Sequence, residues 1–112
     1  FRPLVICVEY NPKFPPPLAI AMPYRSDHVW SVNDYFGASL QAFCEQITDY
    51  KLVACSVSGA NAFFVRRDLG EAFADYTPVE LYQPHREHLI YLKSGHRPSL
   101  RWLKDKLTEP LG

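Results

Sequence analysis

The sequence predicts an α/β fold in which a mainly parallel sheet, flanked by helices, ends in an antiparallel hairpin. Three observations carry this expectation: an apolar, β-rich run ahead of Pro12; a helical stripe of Leu40, Phe43, Cys44 and Ile47; and two further β-rich runs joined by Ser58-Gly59-Ala60-Asn61. The chain has 112 residues, 47% of them hydrophobic, enough for one core and too few for a second domain.

Residues 4–10 form the first predicted strand. Alternation sends Leu4, Ile6, Val8 and Tyr10 to one side and Val5, Cys7, Glu9 and Asn11 to the other. Both sides are apolar as far as Glu9, the pattern of a strand covered on both faces in a parallel sheet. Pro12 ends it, because proline lacks the donor that a central strand needs. Residues 13–34 are a long connection punctuated by Pro15, Pro16, Pro17 and Pro23. Connections of that length in a small domain are functional or disordered, and Phe14, Tyr24, Trp30, Tyr35 and Phe36 point to a packed loop over a site.

Residues 37–50 read as a helix, with Ser39 placed to cap it and Gln41, Glu45, Gln46 and Asp49 on the wet face. A strand over 51–57, the turn, and a return over 62–65 make the hairpin, whose strands must run antiparallel. A short helix over 69–73, extended or irregular pieces over 79–82 and 88–92, and a last helix over 99–107 behind Pro98 complete the expected order.

Charge balance removes several functional classes. Twelve Lys and Arg offset twelve Asp and Glu, so no net field draws the chain to nucleic acid or an acidic membrane surface. The sequence holds no apolar run of membrane-spanning length and no signal-peptide pattern at its start, which suggests a cytoplasmic domain. Cys7, Cys44 and Cys55 are an odd set without close spacing, expected to be reduced. The chain begins at Phe1 and enters an apolar strand almost at once, as if earlier strands of the sheet had preceded it.

Four segments in order carry a more specific signal: Val8-Glu9-Tyr10-Asn11, Met22-Pro23-Tyr24, Tyr35-Phe36-Gly37-Ala38-Ser39-Leu40, and Asn61-Ala62-Phe63-Phe64-Val65-Arg66-Arg67-Asp68-Leu69. Together they resemble the carboxyl-terminal half of FkbM-type, class I S-adenosylmethionine-dependent methyltransferase-like domains. The resemblance covers residues 2–69 and leaves 70–112 as a carboxyl-terminal extension of the same domain. It implies a partial Rossmann-like sheet, a methyl donor in S-adenosylmethionine, and a small-molecule acceptor. It also implies a glycine-rich turn and acidic residues that hold the cofactor, none of which this sequence contains, so no cofactor-binding residue is carried over.

Glu9 and Asn11 are the expected catalytic residues. They stand at the carboxyl end of the strand, where ligands bind in open α/β sheets, and Glu9 offers a carboxylate to take the proton of an acceptor hydroxyl. A structural carboxylate at the strand end is the alternative reading. Tyr24, Trp30 and Tyr35 are expected to bind a sugar ring or another planar substrate, with loop packing as the alternative, and Asn61 to add an amide from the hairpin turn. His85-Arg86-Glu87-His88 departs from the helical His-Glu-x-x-His pattern and reads as a solvated turn, so no metal site is expected. The expected partners are a small-molecule substrate and either the missing amino-terminal half or a second copy of the chain. The second functional expectation is a non-catalytic binding or assembly module that retains the half-sheet and buries its open strand edge.

Overall fold

The computed structural model describes residues 1–31, 33–86 and 101–109. In chain order these form β1 (Val5–Glu9), α1 (Leu40–Gln46), β2 (Tyr50–Cys55), β3 (Asn61–Arg66), a 3-10 helix (Arg67–Ala72), α2 (Pro78–Leu81) and α3 (Arg101–Thr108). The expected piece over 88–92 lies outside the described residues.

Helices and strands mix as an α/β reading requires, but the sheet departs from the parallel arrangement. It has three strands in the order β1-β3-β2, and β3 pairs antiparallel with both neighbours. β1 and β2 therefore point the same way without touching, because β3 has entered between them. A tight turn, Gly59 at φ 74°, joins β2 to β3 and forces the reversal. A bulge between Leu52 and Ala54 shifts the β2 register.

The expected burial of β1 on both faces also fails. Ile6 and Val8 pack on the core of Tyr10, Leu40, Tyr50, Leu52, Ala62 and Phe64, but Val5 and Cys7 on the opposite face stay exposed. Among the described residues β1 is an edge strand, and on its other face Val5 and Cys7 stand beside Val65 and Phe63 of β3, with Val5 still 54% exposed. An apolar run on two faces records two-sided burial only where something lies on the second face.

Helix α1 is shorter than its apolar stripe suggested. Ser39 caps it by accepting from the Ala42 N–H at 3.2 Å, and Ile47 closes it by donating to the Phe43 carbonyl at 2.8 Å. Residue 50, placed at the helix end from sequence, already belongs to β2. Residues 67–72 tighten into the 3-10 helix where an α-helix over 69–73 was expected. Residues 78–81 form one helical turn where an extended or irregular piece over 79–82 was expected. Thr77 and Glu80 satisfy each other's backbone N–H groups there in a capping box.

The segment after α2 is sewn onto the strand end. Tyr10 Oη donates to the Gln83 carbonyl at 2.7 Å, Tyr82 Oη donates to the Pro12 carbonyl, and the Arg86 N–H donates to the Ser58 carbonyl at 3.1 Å. The hairpin turn comes so close that a Cβ on Gly59 would stand 2.1 Å from the Pro84 carbonyl oxygen. Gly59→Ala meets both a left-handed backbone and this contact, so urea unfolding should register a loss of about 2–3 kcal/mol. A loss below about 0.5 kcal/mol would mean that the 82–86 segment does not pack here.

Candidate functional site

The long connection is held in place by the strand end. Asn11 is completely buried, its Nδ2 donating to the Asp34 carbonyl at 2.9 Å and the Phe36 carbonyl at 3.0 Å, while its Oδ1 accepts from the Lys13 N–H at 3.0 Å. The returning chain is pinned beside it: the Asn11 N–H donates to the Ala38 carbonyl, the Met22 N–H to Gly37, and the Ser39 N–H to Ile20. Ser39 Oγ also accepts from the Ile20 N–H at 3.0 Å, so one hydroxyl serves both the loop and the helix cap.

Asp34 continues the chain of contacts. Its buried carboxylate accepts from the Trp102 and Leu103 N–H groups at 2.9 and 2.8 Å, capping α3 from a distant part of the sequence. Trp102 then packs its ring 5.5 Å from Phe14 and 5.4 Å from Tyr35.

Between the loop and α1 lies a cavity of about 440 Å³, and Tyr24, Trp30 and Tyr35 all line it. The three aromatics expected to bind substrate are thus brought together. Phe36, Phe43 and Met22 complete its apolar wall, and Arg25, His28 and Gln46 supply its polar groups. Ring contacts fix the wall: Trp30 meets Phe36 edge-on at 6.0 Å, and His28 meets Tyr35 at 5.3 Å. Trp30 Nε1 donates to the Asn33 carbonyl at 2.9 Å. Sequence reading missed Met22, Arg25, His28, Phe43 and Gln46. Phe43 had been assigned to the core stripe and Gln46 to the wet face, and only the folded-back loop makes them walls of one space.

A smaller crevice of about 90 Å³ opens at the carboxyl end of β1, lined by Glu9, Tyr10, Pro12, Phe36, Gly59, Ala60 and His85. Phe36 lines both spaces. Glu9 is exposed at this crevice, whereas Asn11 is buried behind it, so the two do not share an opening as expected. The reason is local: β1 ends at Glu9, and strand alternation no longer governs where Asn11 points. Asn61 starts β3 opposite Glu9 and lines neither space. His85 is half-buried in the crevice and was not expected there. Glu87, His88 and His96 lie outside the described residues.

Two of the three thiols, Cys44 and Cys55, are held out of reactive range. Burial raises Cys44 to about 11, and burial likewise raises Cys55 to about 11 against the opposing hydrogen bond with Tyr10. Burial also raises the Tyr10 phenol. No cluster of three or more His, Cys, Asp or Glu suited to a metal occurs among the described residues, and no helix among them is long and apolar enough to cross a membrane. No protein-family model, curated protein or solved structure matches the chain.

Two outcomes follow. Asn11→Ala breaks two buried hydrogen bonds, to the Asp34 carbonyl and the Lys13 N–H, and a part-buried one to the Phe36 carbonyl, so denaturant unfolding should show a loss of about 2–4 kcal/mol. Retention of wild-type stability would remove Asn11 from its central position. Because Cys44 and Cys55 titrate higher folded than unfolded, stability is at its full value below pH 9 and falls as pH rises toward about 11. A pH series of unfolding midpoints should show a shallower fall between pH 9 and 10 when both are replaced by Ala, the raised Tyr10 phenol keeping the fall at higher pH.

Proposed function

We propose that this chain is the distal part of a methyltransferase-like domain and contributes the acceptor side of a site that methylates a small molecule. The observation that carries the reading is the strand arrangement. β1 and β2 run in the same direction, joined through the long loop and α1, and the reversed β3 lies between them. The resemblance implies a parallel sheet finished by an antiparallel hairpin; both pairings here are antiparallel, so this sheet supports the hairpin end alone, and any parallel strands would add at the edge of β1. The aromatic cavity supports the acceptor part, since it offers ring faces next to the end of β1.

S-adenosylmethionine is the methyl donor in this reading, but the described residues provide no fitting cradle. Gly59 is taken up by contact with Pro84, and Gly37 at φ 59° stands apart from any strand-to-helix glycine turn. Donor binding is therefore assigned to another part of the domain, and no chemical step is derived through it here.

On the acceptor side, Tyr24, Trp30 and Tyr35 orient a ring, and Glu9, which lines the adjoining crevice and not the cavity, accepts the proton of an acceptor hydroxyl that reaches past Phe36. Asn11 acts on that geometry from behind by fixing the Phe36 wall shared by cavity and crevice. Asn61 shapes the far side of the strand end as the register partner of Glu9.

A second reading, an assembly module without catalysis, is favoured by one feature: Leu4 and Val5 stay 56% and 54% exposed on the edge strand. Such a module would bury this edge against another copy.

The test is methyl transfer from labelled S-adenosylmethionine by the protein extended through the sequence encoded ahead of Phe1. Turnover is expected, and Glu9→Gln should lower it by about 10²-fold at unchanged stability. A start codon immediately before Phe1, or full turnover by the variant, would defeat the catalytic assignment. Light scattering that finds a stable dimer without methyl transfer would select the assembly module instead.

A further inference from the structure

We propose that the aromatic cavity takes a hydroxylated ring compound bearing an anionic group, with the ring against Tyr24 and Tyr35 and the anion on Arg25. The inference rests on the acceptor reading above and names the class of ligand.

Size and shape give the ring. A volume of about 440 Å³ accommodates one substituted ring rather than a macromolecular segment. Trp30 and Tyr35 are held by edge-on neighbours, and Tyr24 is 90% exposed at the rim, so ring faces line the space without filling it.

Charge decides between two classes of ligand that aromatic walls accept. Aromatic surroundings also suit ammonium cations. Here the lining contains Arg25 and His28 and no carboxylate, and Asp27, which stands beside it, is already paired with Arg25, so a cation meets no unengaged acid in the wall. An anion meets the opposite situation. Asp27 engages Arg25 through Nε at 3.3 Å and Nη2 at 3.0 Å, which clamps one edge of the guanidinium and fixes its plane. Asp27 offsets the charge of Arg25 but engages only Nε and Nη2, which leaves the Nη1 N–H groups outside the pair as donors to a carboxylate or phosphate. Gln46 adds an amide that can donate to, and accept from, a ring hydroxyl.

Calorimetry of the chain with two acids and their neutral counterparts tests this: 4-hydroxybenzoate against phenol, and glucuronate against glucose. At least one acid is expected to bind ten-fold or more tightly than its neutral counterpart. Arg25→Gln should abolish that preference, while Tyr24→Ala should weaken the acid and the neutral compound alike. The pair that shows the preference identifies the ring as aromatic or sugar. Equal binding of acids and neutrals, binding of neither, or a preference that survives Arg25→Gln overturns the proposal. An unchanged urea midpoint for both variants separates these outcomes from misfolding. Acid-selective binding in a protein that transfers no methyl group would remove the methyltransferase reading and leave this site standing. Methyl transfer without acid preference would do the reverse.

Discussion

The buried amide of Asn11 is the constraint on which the rest depends. A strand that ends at a proline must hand the chain to something, and here the next twenty-odd residues form a loop with little regular structure of its own. An amide with two donors and an acceptor, wholly removed from water, is costly unless every one is matched. Asp34, Phe36 and Lys13 supply the matches with backbone groups. The loop is thereby returned to the strand end whatever its side chains do. Asp34 passes the constraint on, its backbone tied to Asn11 and its carboxylate to the first turn of α3. Two polar side chains thus connect the sheet, the loop and the last helix.

The sheet gives the molecule an asymmetry with functional weight. One face is closed by α1 and the residues of α2, around Tyr10, Leu52 and Phe64. On the other face the 3-10 helix reaches only part of the surface. Lys51 extends to the Gly70 and Phe73 carbonyls and to Asp75, while Val5 and Cys7 stay open. Among the described residues no strand pairs with the outer edge of β1. Strand edges of this kind are normally charged, covered or paired, and β1 has no charge between Val5 and Val8.

The two openings share one wall, and the wall is positioned by the same amide. The Phe36 carbonyl is held by Asn11, its ring meets Trp30 edge-on, and its side chain borders both the aromatic cavity and the Glu9 crevice. Lys13 stands 5.8 Å from the centre of that ring, which places a cation on its π-face. The cavity and the crevice therefore share one aromatic residue as a common wall. Their relative position is set by buried hydrogen bonds, which are rigid compared with the exposed loop rim.

The sequence by itself determined the elements whose signals are local. The hydroxyl of Ser39 ahead of an apolar stripe marked α1, the turn Ser58-Gly59-Ala60-Asn61 marked the hairpin, and Pro12 marked the end of β1. Each depends on neighbours within a few residues, where spacing and backbone preference act directly. The Thr77 and Glu80 pair was equally local, but a single turn is too short to show periodicity. Tyr24, Trp30 and Tyr35 were legible as a loop cluster because aromatics are rarely spent on unpacked chain. What only the tertiary structure decided depends on groups far apart in the chain. The insertion of β3 beside β1 turned a strand read as central into an edge. The burial of Asn11 depended on carbonyls 23 and 25 residues away, and the capping of α3 on a carboxylate 68 residues before it. Alternation could place Glu9 at the strand end but could not follow Asn11 past it, because the periodicity of a strand stops where its hydrogen bonding does.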